Sequence, residues 1–313
     1  MSAIAILCSG QGYQGAGMFD LLADAPEADQ VFEAAKSVLD GQDPRQLVRE
    51  ASNDDLHADK LGQILCCTQA MAAWAVLSAK VPRPLLVAGY SVGELAAWGV
   101  AGLIDYESVF DLAARRATAM DKATKEPSGL VAIHGLRRAA LDPICRAHGA
   151  YIAIVNGEDQ MLVGGTRRAL EAVIHDAQAA GARRMTRLPV AVASHTPLLA
   201  GASDRFRQAL KKAHLSAAVP PSVRLLSGID GAAVFDVHAG ADKLARQIQQ
   251  TVDWAACMES CRAAGVTKVV ELGPGNALAR FMREFMPESD AHSLSEFHSL
   301  LGVKHWMQRS SAR

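Results

Sequence analysis

The chain has 313 residues, half of them hydrophobic, with a formal net charge of −1 and a pI of about 6.8. That balance argues against a general nucleic-acid binder, and no apolar run approaches the length of a membrane span. The length predicts one large core with an insertion, or two domains.

The opening Ile4-Ala5-Ile6-Leu7 reads as a strand. No charged region followed by a cleavage site accompanies it, so no secretory signal is expected. The six cysteines (Cys8, Cys66, Cys67, Cys145, Cys257 and Cys261) form no C-x-x-C pair and no zinc spacing. They read as reduced core residues of a cytoplasmic protein, and no metal is expected.

The first strand runs into Cys8-Ser9-Gly10-Gln11-Gly12-Tyr13-Gln14-Gly15, which contains G-x-G-x-x-G. The dinucleotide fingerprint also needs a helix at the loop and a second strand ending in an acidic residue. Here a helical pattern over Ala28 to Leu39 follows instead, so a loop lining a site at the strand's carboxyl end is the better reading. Gln42 to Lys60 is polar and mixed. Gln63 to Ala79 is apolar enough for a buried helix under the next strand.

That strand, Leu85 to Ala88, lies between Pro84 and Gly89 and meets Gly89-Tyr90-Ser91-Val92-Gly93, after which Glu94 to Val100 reads as a helix. A G-x-S-x-G at a strand-to-helix turn is the nucleophile elbow. The glycines let the chain turn tightly so that the Ser91 hydroxyl stands free, and the Val92 amide is aimed where an oxyanion would form. The alternative is a tight turn with an ordinary serine. Tyr106 to Lys122 gives another helix.

From Gly129 to Val190 the pattern is strand, helix, strand, strand, helix, strand, a ferredoxin-like βαββαβ unit of the right length for an insertion. The expected division is a discontinuous large domain, 1–127 and 191–313, and a small subdomain, 128–190, with a cleft between them. In Ser194-His195-Thr196-Pro197, Thr196 reads as an N-cap and Pro197 as the first position of a helix over Leu198 to Ala213. The positive end of that helix would favour neutral imidazole, the form a general base needs, although a lone histidine is often structural. Val223 to Ser227 reads as a strand, Asp242 to Ala264 as one or two helices, and Lys268 to Leu272 as a strand ending at Gly273-Pro274-Gly275. Past Pro287 the tail is polar, and His292, His298 and His305 read as a solvated face.

Ser9 to Gln14, Gly89 to Glu94, Arg116 with Met120, Ser194-His195, Gln247 ahead of Trp254, and Gly273-Pro274-Gly275 occur in an order that resembles the malonyl-CoA:acyl-carrier-protein transacylases. The likeness runs from Ile4 to Phe285 and implies an α/β-hydrolase-like core with a parallel sheet and an inserted ferredoxin-like subdomain. It implies Ser91 as nucleophile and His195 as base. The amides of Gln11 and Val92 would form the oxyanion hole, and Arg116 would grip the malonyl carboxylate. The Gln247 carbonyl would orient the imidazole, and Asn156 would be a polar residue at the cleft. No acidic third member of a triad is evident.

The family usually has histidine where this chain has Tyr90, and proline where it has Ser9. Both features are similar to the epsilon subunit of malonate decarboxylase. The implied reaction moves malonyl from malonyl-CoA, with no permanently bound cofactor, to the phosphopantetheine-type arm of an acidic acyl-carrier protein. Expected partners are that carrier and other malonate decarboxylase subunits, with no nucleic acid and no membrane. Arg183, Arg184 and Arg187, with Arg205, Arg207, Lys211 and Lys212, are the candidate docking surface. The alternatives are a fatty-acid-synthesis transacylase, a serine thioesterase or other hydrolase, and an idle docking subunit.

Overall fold

The computed structural model describes residues 3–309. Strand β1 (Ala3–Cys8) is followed by helices α1 (Pro26–Ala35), α2 (Pro44–Glu50), α3 (Asn53–Leu56) and α4 (Asp59–Leu77). Strand β2 (Leu85–Gly89) leads into α5 (Gly93–Val100) and α6 (Tyr106–Ala123). Then come β3 (Ser128–His134), α7 (Arg138–Ala147), β4 (Tyr151–Gly157), β5 (Gln160–Thr166), α8 (Arg167–Ala179) and β6 (Arg184–Arg187). The chain continues through α9 (Ala200–Leu210), β7 (Val223–Leu225), α10 (Val237–Arg246), β8 (Val252–Asp253) and α11 (Trp254–Ala263). It closes with β9 (Val266–Leu272), α12 (Ala277–Phe285), β10 (Asp290–Ser293) and α13 (Leu300–Gln308).

The strands form two sheets. One is wholly parallel, in the order β10-β9-β1-β2-β7. Because β9, β1 and β2 are neighbours, the loops after Leu272, Cys8 and Gly89 emerge side by side at the carboxyl edge, where parallel α/β sheets carry their sites. The second sheet has the order β6-β3-β5-β4-β8, antiparallel except where β8 joins β4. Its last strand, β8, therefore comes from outside residues 128–190.

Alternation along β1 explains the layering. Ile4 and Ile6 face a core built with α1, α4, α5 and α6, whereas Ala5 and Leu7 face another with Trp254, Met258, Leu278 and Met282. That second core also takes in Leu130, Ile154 and Leu162 and so ties the two sheets together. The small sheet's other face is covered by α7 and α8 through Leu141, Cys145, Leu170 and Val173.

Three expectations need correction. Helix α4 with its following turn, Asp59–Lys80, is long and apolar enough to cross a membrane by length and composition, contrary to the sequence reading. It is largely buried in this fold, with Ile64, Leu65 and Ala70 in the core, as befits a central helix. The tail past Pro287 is structured: β10 extends the parallel sheet, and α13 packs Val303 and Trp306 into the core. Its alternation over only four residues was too short to register as a strand. Finally, the segment after His195 begins as a single 3₁₀ turn, Pro197–Leu199, before α9, and the Thr196 side chain does not cap it. The Thr196 hydroxyl instead donates to the Ala193 carbonyl at 2.7 Å.

Candidate active site

Ser91 stands between β2 and α5 with φ of 56°, in the left-handed region. The flanking glycines allow the tight turn through close approach of backbone, not through a positive φ. Neither holds a positive φ; each lies where a side chain would collide with backbone. A Cβ on Gly89 would sit 2.1 Å from the Gly93 carbonyl oxygen, and one on Gly93 would sit 2.1 Å from that of Cys8. The glycines thus permit close approach of strand, turn and neighbouring loop, while the strain falls on Ser91 itself.

His195 also holds a positive φ, 63°. Its backbone N–H donates to the Ile248 carbonyl, and its Nδ1 lies 2.7 Å from the Gln247 carbonyl oxygen. A carbonyl only accepts, so Nδ1 carries the proton and Nε2 presents its lone pair. Nε2 lies 2.8 Å from Ser91 Oγ. Burial, then the positive charge of Arg116, pushes the imidazole pKa down to about 3, against the opposing Gln247 bond. The ring is therefore neutral. Burial and a nearby cation keep it so, not the expected helix end.

Arg116, on α6, is fully buried. Its Nη1 donates to Gln63 Oε1 at 2.7 Å and its Nη2 to Gln247 Oε1 at 3.2 Å, while Nε has no partner. Gln247 joins the groups: its Nε2 donates to the Ser91 carbonyl at 3.2 Å and to Glu94 at 2.5 Å, and its own carbonyl holds His195. Ser91, His195 and the Arg116 guanidinium share one residue as anchor. Arg115, one position away, is exposed and paired with Asp111.

The amides of Gln11 and Val92 donate to no acceptor among the described residues. Gly10 packs against the elbow, where a Cβ would meet the Tyr90 carbonyl oxygen at 2.8 Å. The Gln11 side chain reaches the Asp59 carbonyl. Gln14 ties the loop to itself and to the segment before α4, accepting from the Gly12 amide at 2.5 Å and donating to the Leu56 carbonyl at 3.2 Å.

This arrangement, a serine on an elbow facing a neutral histidine, can do nucleophilic acyl chemistry. The model for the acyl transferase domain matches residues 6–298. The chain belongs to that family. It is 31% identical over 303 residues to the malonyl CoA-acyl carrier protein transacylase of Salmonella typhimurium, covering 95% of this chain and 97% of the relative. It superposes on the acyl-carrier-protein S-malonyltransferase of Burkholderia pseudomallei with a TM-score of 0.89 at 30% identity, covering 99% of this chain and 100% of the other. The PlMCAT:AntF structure, a type II PKS acyl-carrier protein in complex with its malonyl-transacylase, matches with a TM-score of 0.90 at 27% identity, covering 97% and 99%.

Both departures of this acyl transferase from the family's usual residues acquire partners. The Tyr90 hydroxyl donates to Asn156 Oδ1 at 3.1 Å, and its ring packs edge-on against Trp254, so the elbow is tied to β4 of the small sheet. Asn156 is thus fixed by Tyr90. The Ser9 hydroxyl donates to the buried carboxylate of Glu271 at 2.7 Å, and its N–H donates to the Leu272 carbonyl. A proline at that position could make neither bond. The other oxygen of Glu271 accepts from the Ala279 amide, so a side chain already fills the helix end at the second glycine elbow.

The basic clusters are partly spoken for. Arg183 pairs with Asp159, Arg187 with Glu171, and Arg207 with Asp204 and Asp242. Arg184, Arg205, Lys211 and Lys212 are exposed. Between the α3 end and the small sheet lies a groove of about 740 Å³, lined by His57, Arg167, Arg187 and Val190 among others; Ser91 does not line it. Of the tail histidines, His292 lies tilted against Phe297 and edge-on to Trp306, which also touch each other, and it contacts Asp290 and Glu296. Sequence reasoning missed Gln63, Asp59 and Glu94. The available signal was polarity in the wrong place, a glutamine at the head of an apolar helix and a glutamate opening Leu95-Ala96-Ala97-Trp98.

Proposed function

We propose that this chain is a malonyl-CoA:acyl-carrier-protein S-malonyltransferase working through a malonyl-serine ester. The carrying observation is the 2.8 Å contact of Ser91 Oγ with His195 Nε2, in a site where Gln247 also holds the buried guanidinium of Arg116. His195 takes the hydroxyl proton as Ser91 Oγ attacks the thioester carbonyl, and passes it to the departing CoA sulfur. The carrier thiol then attacks the ester. Its proton returns through His195 to Ser91 Oγ as the thioester forms. The free amides of Gln11 and Val92 supply the oxyanion hole in both steps.

Arg116 selects the acyl group, because a guanidinium offers a carboxylate parallel hydrogen bonds that an acetyl group cannot accept. Asn156, held by Tyr90, completes the polar wall of the cleft. The site works on a large domain, 1–127 and 191–313, that carries the small subdomain 128–190. An acidic carrier docks on the exposed Arg184, Arg205, Lys211 and Lys212.

Relatives named for acyl-carrier proteins support an acceptor of the fatty-acid or polyketide kind. The malonate decarboxylase reading, with its own carrier and subunits, rests on Tyr90 and Ser9 alone. Comparing kcat/KM for the two carriers decides between them. For the activity itself, intact-mass analysis after malonyl-CoA treatment should show one malonyl group on Ser91 that a holo carrier protein removes. Free malonate as the main product would identify a hydrolase, and no adduct would identify a docking subunit.

A further inference from the structure

Arg116 is surrounded by two carboxylates, yet neither touches it. On one side Asp59 accepts from Gln63 Nε2 at 2.9 and 3.0 Å, and Gln63 Oε1 accepts from Arg116 Nη1 at 2.7 Å. On the other side Glu94 accepts from Gln247 Nε2, and Gln247 Oε1 accepts from Arg116 Nη2 at 3.2 Å. All five side chains are buried. The guanidinium forces the amide orientations: it only donates, so each amide carbonyl must face Arg116, which leaves each NH₂ facing a carboxyl group.

We propose that Asp59 and Glu94 are positioning residues that act on Arg116 only through the carboxamides of Gln63 and Gln247. The neutral spacers lock the guanidinium in place while leaving its charge uncancelled for an incoming carboxylate. This inference rests on the reading of Arg116 as the carboxylate-binding group. Direct contact would pair the cation internally, and a substrate carboxylate would then have to displace a buried partner. With the spacers in place, Nε–H and the remaining Nη protons stay available, and Nε indeed has no partner. Burial, the leading cause, raises Asp59 to about 6 and Glu94 to about 7, and the pull of Arg116 is only a lesser opposing cause, as expected for carboxylates held off from the cation.

The test moves charge across a spacer without changing the number of charges. In the double variant Asp59→Asn with Gln63→Glu, the carboxylate sits directly against Arg116. The readout is the ratio of kcat/KM for Ser91 acylation by malonyl-CoA to that by acetyl-CoA, in the full-length protein, beside Arg116→Ala. The proposal expects the ratio to fall about tenfold or more in the swap. The second swap, Glu94→Gln with Gln247→Glu, tests the other spacer and serves if the first fails to fold. A ratio unchanged in the swaps but lost in Arg116→Ala overturns the spacer proposal and leaves the Arg116 reading standing. An equal fall for both thioesters is a merely structural effect and also overturns it. A ratio unchanged in Arg116→Ala removes the reading beneath it.

Discussion

Ser91 and His195, 104 positions apart, meet at 2.8 Å with both backbones in the left-handed region. The only other non-glycine residue with positive φ among the described residues is Asp40. Apart from Asp40, backbone strain thus falls on these two facing residues, which the surrounding packing must hold in place.

That strain is measurable. Ser91→Gly and Ser91→Ala should both abolish acylation, but glycine tolerates the left-handed conformation and alanine does not. Thermal denaturation should find the glycine variant more stable by about 1 kcal/mol. Equal stabilities would show that the elbow is relaxed.

Arg116→Ala should cut kcat/KM for malonyl-CoA by about a hundredfold, the scale of truncating one side of a buried charge pair. Acetyl-CoA should lose far less, so the preference collapses. Stopped-flow acylation with the two thioesters measures it, and unchanged selectivity would remove Arg116 from substrate recognition.

The pH profile should carry the signature of His195. With its pKa pushed down to about 3 by burial and by Arg116, the base is neutral throughout the physiological range, so acylation by acetyl-CoA should show no acid limb near 6.5 from this group. A malonyl carboxylate held by Arg116, as proposed, would offset its charge and so raise the His195 pKa. The acid limb of single-turnover acylation at saturating malonyl-CoA should therefore lie above that for acetyl-CoA. Coincident limbs would separate Arg116 electrostatically from the base.

Glu271 should cost stability as pH rises from about 4.5 to about 7, against the opposing contribution of His195, whose pKa is lowered to about 3. Burial raises Glu271 from its ordinary 4.5 to about 7, so the folded state binds its proton more tightly than the unfolded chain. Its contribution is fully favourable below the unfolded pKa and is lost as pH rises through about 7, a difference of roughly 3 kcal/mol. Asp59 and Glu94 act in the same sense. Glu271→Gln should remove roughly 2–3 kcal/mol of the stability lost between pH 5 and pH 8, measured by denaturant unfolding at each pH. Ser9→Ala removes the hydroxyl that favours the ionised form and should steepen that loss.

The sequence by itself determined the local pieces. A strand, a G-x-S-x-G turn and a helix identify the elbow because that conformation needs those residues in that order, and the short apolar runs Leu85 to Ala88 and Ile152 to Val155, bounded by turn residues, mark strands within a few neighbours. The tight turn at the glycines was legible, but their packing on a neighbouring loop was not. Their collision partners include Cys8, some eighty residues away, which only the pairing of β1 with β2 brings near. The cause of the neutral imidazole was hidden too, because it lies in Arg116 on another helix and in burial by residues remote in the chain. Gln63 and Glu94 read only as the first residues of two helices, and the fold puts Gln63 against Arg116 and Glu94 against Gln247 on its other side. Hydrogen-bond geometry and desolvation act over a few ångströms in space, whatever the separation in sequence, so only the tertiary structure could decide them.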